Sequence, residues 1–295
     1  MAVMNPRVGA LLKGGLGNQL FIYACARRLA YVTGRELVLD SVNGFRKDFY
    51  RRCYSLQHFN ISGRCLSPEE YTPYTRYRRR LQSLLARRYP VSRRSYIQEG
   101  SQFMPELLSL QTARTVWIEG YWQNEIYFHD IRDILLLELS IITRHEAQNV
   151  SLSQEILGSN GVCVHARRLH GVPEGDGAVP LRNANAVDIG YYRRAIVLMQ
   201  KFVVNPTYFV FCDYSDWARE NLNFIRPAVF INGNGDEKNY EDLWLMSLCH
   251  HFIIPNSTFS WWGAWLSKNP EKVVIAATKW YTEYPYALPS GWVAV

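Results

Sequence analysis

His165-Ala-Arg167-Arg168 is the densest group of chemically active side chains in this sequence. It follows Gly161-Val-Cys-Val164, four mostly apolar residues led by a glycine, which read as a short buried strand. Ligands of open α/β sheets collect at the carboxyl ends of the strands, so a histidine and two arginines at this position would face a ligand. Adjacent guanidinium groups repel one another, and an anion with several oxygens holds them together. A diphosphate is the expected anion; for an isolated pair, arginines that only point into water are the alternative.

Further groups suit the same ligand. Asn256, Ser257 and Thr258, with Ser260 a residue further on, stand at the start of a helical stretch ending in Trp-Trp-Gly-Ala-Trp265. Their hydroxyls and the helix's free N–H groups could hold phosphate oxygens, or the serine and threonine could simply cap the helix. Asp213, after Tyr208-Phe-Val-Phe-Cys212, could accept from the N1–H and exocyclic amine of guanine, with His165 on the same base, or be a loop residue. Near the N-terminus, Lys13-Gly-Gly15-Leu-Gly17-Asn18-Gln19 forms a glycine turn between a strand and a helix, where Asn18 and Gln19 could bond a polar substrate. It lacks the third glycine of a dinucleotide fingerprint and the Lys-Ser/Thr of a P-loop. No Asp-x-Asp pair offers a grip for a nucleotide's metal. Charge on a leaving diphosphate would therefore fall to Arg167, Arg168 and backbone donors, a device suited to glycosyl transfer.

The elements that must position these residues alternate. Strand Val8–Leu12, a helix through Val32, strand Glu36–Asp40, a less regular Tyr- and Arg-rich region, strand Val116–Tyr121 with an aromatic tip at Trp122, and a helical stretch Ile126–Leu139 make a first half. Polar Arg144–Asn160 reads as the linker, dividing the chain into residues 1–150 and 151–295. After it, strands at Val162–Val164, Tyr208–Cys212, Ala228–Ile231, Phe252–Ile254 and Lys272–Ala276 alternate with helices at Ile189–Phe202, Asp216–Leu222, Tyr240–Cys249 and Phe259–Leu266. This is the pattern of a doubly wound parallel sheet.

A chain of 295 residues fits two domains, and the excess of 33 Lys+Arg over 26 Asp+Glu favours anionic partners. Between Tyr71 and Gln98 there is no acid, while Arg76, Arg78, Arg79, Arg80, Arg87, Arg88, Arg93 and Arg94 all fall there. Tyr77, Leu81, Leu84, Leu85 and Arg88 fall at one-face helical spacing with arginines on the other side, so Arg76–Arg94 could dock on an anionic membrane surface, or pack as a solvated arm. No nucleic-acid partner is expected. Six cysteines without close pairing read as reduced thiols. No signal peptide and no membrane span are legible, which points to a cytoplasmic setting, peripheral at most at the inner membrane face.

Taken in order, Gly14-Gly-Leu-Gly-Asn-Gln-Leu-Phe21, Gly120-Tyr-Trp-Gln123, His165-x-Arg-Arg168, Phe211-Cys-Asp213 with Trp217, and Leu245-Met-Ser…Asn256-Ser-Thr-Phe-Ser-Trp-Trp-Gly-Ala-Trp-Leu266 resemble the motifs of the α-1,2-fucosyltransferases, glycosyltransferase family 11. The likeness spans most of the chain, and the Asn256–Trp265 block is its most specific part. It implies an α/β fold of GT-B type, with two Rossmann-like domains facing across a cleft. The 1–150 domain would then lie on the acceptor side and the 151–295 domain would bind the nucleotide sugar. It implies inverting, metal-independent transfer of L-fucose from GDP-fucose to the 2-OH of a terminal β-galactoside, on a glycan or lipid-linked oligosaccharide, with no cofactor. Arg167 would hold the diphosphate, with His165 and Asp213 recognising guanine. Where the family continues Gly-Asp after the arginines, this chain has Leu169-His170. The acceptor's proton would then go to Glu174, Asp176 or His170, the nearest groups able to act as base. A different GDP-sugar donor or acceptor hydroxyl, or a catalytically silent nucleotide- or glycan-binding protein, are the other readings.

Overall fold

The computed structural model describes residues 5–70, 81, 88–111, 113–168, 186–231, 234–278 and 288–295. The chain forms two compact units, one built on Met1–Asp48 and Arg52–Ser140, the other on Ile141–Thr282 and Ala287–Val295 with Phe49–Arg51.

In the first unit, β1 (Arg7–Leu11) runs through the glycine turn into α1 (Leu16–Thr33). Gly14 there has φ +75, a left-handed conformation that glycine adopts without a Cβ clash. Helix α1 ends on Gly34, also left-handed, whose N–H closes on Tyr31. β2 (Glu36–Asp40), β3 (Arg64–Cys65), β4 (Tyr96–Gln98) and β5 (Val116–Glu119) complete a parallel sheet of order β3-β2-β1-β5-β4 among the described residues. Gly9 pairs with Trp117 and carries its indole, which a Cβ at Gly9 would meet at 2.4 Å. A short helix, α2 (Arg132–Glu138), closes the unit.

The second unit opens with α3 (Ala147–Leu157), a helix where a linker was expected. Its buried face carries Asn149 and Ser153 beside Ile156, so no apolar period announces it. Then come β6 (Gly161–Ala166), α4 (Ile189–Phe202), β7 (Thr207–Cys212), α5 (Ser215–Asn221), β8 (Ala228–Ile231), α6 (Asn239–Leu248), β9 (His251–Ile254), α7 (Thr258–Leu266), β10 (Val274–Ala276) and β11 (Val293–Ala294). The sheet is parallel, in the order β11-β10-β9-β6-β7-β8. Every residue of β6 is buried, as befits a central strand covered on both faces.

In the second sheet the winding reverses at one place, between β6 and β9. Crevices for ligands open at such reversals. His165–Arg168 and Asn256–Thr258 flank that place; in the first sheet the glycine turn and the Tyr121–Gln123 tip follow the neighbouring strands β1 and β5.

Candidate active site

The β6–β7 register pairs His165 with Phe211 and Ala166 with Cys212, so the next residues along, Arg167 and Asp213, stand opposite each other. Arg167 Nη1 lies 3.2 Å from Asp213 Oδ2, and the Arg168 main-chain N–H donates to Asp213 Oδ1 at 2.7 Å. The side chains of the two arginines part. Arg168 lays its guanidinium 4.0 Å from the centre of the Trp217 ring and donates to the Val187 carbonyl at 3.1 Å. Arg167 keeps 30% of its side chain exposed. The expectation that both guanidinium groups share one anion is thus revised, because stacking on an indole draws Arg168 aside. Asp213 thus meets both members of the arginine pair, one with each carboxylate oxygen.

His165 is buried, and its Nδ1 has no hydrogen-bond partner. Burial, and secondarily the charge of Arg167, lowers its pKa to about 3, so the ring is neutral at pH 7. Its main chain is held by the Tyr192 hydroxyl, which donates to the His165 carbonyl at 3.1 Å, and its ring centre lies 5.9 Å from that of Phe259. A buried polar atom left unpaired is uncommon in a folded protein.

On the neighbouring strand end, Ser257 occupies the cap position of α7 but makes no capping bond, so no side chain of its own closes on the helix's first N–H groups. Thr258 begins the helix, and Asn256 is largely buried. Ser260 is fully buried and its hydroxyl turns back to the Ser257 carbonyl at 3.4 Å, which removes it from the ligand-facing set. The tryptophans that follow are packing residues: Trp261, Trp262, Trp265 and Trp292 form an aromatic cluster with centres 5.1 to 6.2 Å apart. Gly263 lets α7 approach α6, since a Cβ there would lie 2.9 Å from Met246 Cβ.

In the first unit, Gly15 caps α1 with its backbone and Gly17 is buried in the first turn. Gln19 is fully buried; its amide donates to the carbonyls of Gly14 and Cys53 and accepts from the Ser55 N–H, each at 2.9 Å. It shapes the loop and presents nothing to a substrate. Asn18 accepts from the Gln123 amide at 2.7 Å, joining the loop to the Tyr121–Gln123 tip. That tip includes Trp122 at φ +54 and is held by Glu99, whose carboxylate receives the N–H groups of Tyr121 at 2.6 Å and Trp122 at 3.0 Å. Burial raises the pKa of Glu99, partly offset by those N–H groups and by Lys13. The Lys13 ammonium lies 5.0 Å from the centre of the Tyr121 ring and 3.6 Å from Glu119.

Residues 78–289 match the model of Glycosyl transferase family 11. The chain belongs to that family. An alpha-1,2-colitosyltransferase of Escherichia coli is 30% identical over 93% of this chain and 92% of its own length. The galactoside alpha-(1,2)-fucosyltransferase 2 of Rattus norvegicus is 30% identical over 50% of this chain and 43% of its own. Among solved structures, fucosyltransferase NodZ from Bradyrhizobium superposes with a TM-score of 0.55 at 14% identity, covering 88% of this chain and 93% of that one. The fold is therefore the GT-B type of this family.

Glu174 and Asp176, with Leu169-His170, lie outside the described residues, as do Arg76, Arg78, Arg79, Arg80 and Arg87 of the basic segment. One polar cluster of the family 11 enzyme escaped the sequence reading. Fully buried Glu241 receives the Asn149 amide at 3.1 Å and lies 3.2 Å from His145 Nδ1. Asn234, itself bonded by Asn149, donates to Asp242 at 2.6 Å, and burial raises the Asp242 pKa to about 6. Two acids in the first turn of α6 read as an ordinary helix start. Only the loss of exposure marks them.

Proposed function

We propose that this enzyme transfers L-fucose from GDP-fucose to the 2-OH of a terminal β-galactoside, with inversion and without a metal. The observation that carries the reading is Arg167, fixed yet partly exposed at the carboxyl end of β6, next to the strand end that leads into the uncapped start of α7. Both are positive features aimed at the edge where a diphosphate would lie. As the bond from fucose C1 to the diphosphate oxygen breaks and the bond to the acceptor oxygen forms, negative charge grows on GDP; Arg167 and the helix N–H groups offset it without reorganising. His165, neutral and with Nδ1 unpaired, suits a hydrogen bond to the base. In the first unit, Asn18, Gln123 and the Tyr121 ring offer amides and an aromatic face of the kind that binds a sugar. The base that takes the acceptor's proton is proposed among Glu174, Asp176 and His170. A NodZ structure soaked with GDP-fucose, similar in fold at a TM-score of 0.53, supports the donor, and the rat relative's name supports the acceptor.

A colitosyl donor is the second reading, favoured by the E. coli relative that covers most of this chain. Incubation with GDP-fucose and a panel of β-galactosides in EDTA, read by GDP release and product mass, tests the proposal. Turnover with a fucose-sized mass gain is expected for wild type and its loss for Arg167→Ala; turnover by that variant at the wild-type rate would sink the assignment. GDP binding without turnover on any acceptor would mark a silent binding protein. The basic segment is proposed to give peripheral contact with the inner membrane face. Among the described residues no helix is long and apolar enough to cross a membrane. Salt-sensitive flotation with anionic liposomes is the expected result, and flotation that ignores both lipid charge and salt would count against it.

A further inference from the structure

We propose that Asp213 is a positioning residue that acts on the donor through Arg167, setting its guanidinium for the diphosphate, and that it does not read the base. The inference rests on the reading of Arg167 as the diphosphate ligand and deepens it. A carboxylate that recognises guanine aims its oxygens at the N1–H and the exocyclic amine, whereas those of Asp213 are aimed at the arginine pair. In Asp213 one oxygen lies 3.2 Å from Arg167 Nη1 and the other takes the Arg168 main-chain N–H at 2.7 Å. Those contacts tie the end of β7 to the first two residues beyond β6, so Asp213 fixes both the turn of the chain after Ala166 and the direction of the Arg167 side chain. Trp217 completes the arrangement from the next helix: with Arg168 stacked on its indole at 4.0 Å and bonded to Val187, the second guanidinium does not compete for the Asp213 carboxylate. An arginine that arrives already oriented loses less freedom on binding its anion, and it meets the developing charge in place.

The test is calorimetric binding of GDP and of IDP, whose base lacks only the exocyclic amine, to wild type and to Asp213→Asn, Asp213→Glu, Arg167→Ala and Arg167→Ala/Asp213→Asn proteins, with steady-state kinetics alongside. Asp213→Asn is expected to weaken both nucleotides by the same factor, about 10-fold, leaving the GDP/IDP ratio at its wild-type value. In the Arg167→Ala background the same substitution should add no further loss. Asp213→Glu, which keeps the charge but moves it by a methylene, decides the question if the asparagine variant does not fold, and should show the same equal loss. A collapse of GDP/IDP discrimination in either Asp213 variant would overturn the proposal in favour of base reading. Undiminished weakening by Asp213→Asn in the Arg167→Ala background would overturn it in favour of a general structural role. Wild-type GDP binding and turnover by Arg167→Ala would instead remove the reading of Arg167 itself, so the two failures are distinct.

Discussion

Replacing Gln19 with leucine should damage stability and leave donor binding intact. The glutamine is fully buried and makes three hydrogen bonds of 2.9 Å, to the carbonyls of Gly14 and Cys53 and from the N–H of Ser55. Leucine is similar in volume and opens no large cavity, so the main loss is that of the bonds. At a net worth of about 1 kcal/mol each, the three come to about 3 kcal/mol, and more if the buried Gly14 carbonyl finds no substitute. Cys53 is exposed, and its carbonyl can turn to water, which holds the figure near the lower end. In a unit of this size about 1 kcal/mol moves the midpoint by about 2–4 °C, so the first unit should melt about 6–12 °C lower. Differential scanning calorimetry measures the shift, and GDP affinity taken well below the transition measures binding. An unchanged melting profile together with weakened GDP or acceptor binding would refute the reasoning and return Gln19 to the substrate-contacting set.

Glu99→Gln should raise the acceptor KM about 10-fold with the GDP-fucose KM unchanged, because a neutral amide holds the Tyr121 and Trp122 N–H groups less strongly than the charged carboxylate does; a change in the donor KM alone would contradict the assignment of that tip to the acceptor. For Asp242 the folded pKa of about 6 stands above its ordinary 3.8, so its stabilising protonated form is fully present below 3.8 and is lost as pH rises through 6. Asp242→Asn should therefore raise the melting temperature relative to wild type more at pH 8 than at pH 5, and an equal difference at both would show that the group is not held protonated. His165 has the opposite sign. Its folded pKa of about 3 lies below the ordinary 6.5, so stability present above 6.5 is lost as pH falls toward 3, and His165→Gln should flatten that part of the acid limb in thermal scans.

Most of the second unit could be read from the chain alone. Strands such as Ala228–Ile231 and helices such as Ile189–Phe202 stand where the apolar runs and periods place them, because burial on both faces of a parallel sheet leaves its record directly in residue type. The sequence also located the residues at the carboxyl ends of β6, β7 and β9, since a strand that ends in polar groups at a sheet edge is a local pattern. What it did not show depends on partners far away in the chain. α3 reads as a polar linker because Asn149 on its inner face is satisfied by Asn234 and Glu241, some ninety positions on. β3 and β4 are too short to carry a period, and only their neighbours β2 and β5 define them. Arg167 and Arg168 look equivalent as neighbours in sequence; strand register sets one against Asp213, and α5 brings Trp217 to the other. Gln19 and Asn18 look equally fit for a ligand, yet one is enclosed by main chain and the other reaches Gln123. Residue types settled which chemistry the chain carries, because charge and hydrogen-bonding capacity are local properties; which side chain of each pair exercises it was decided by packing, because exposure and partners exist only once distant segments have met.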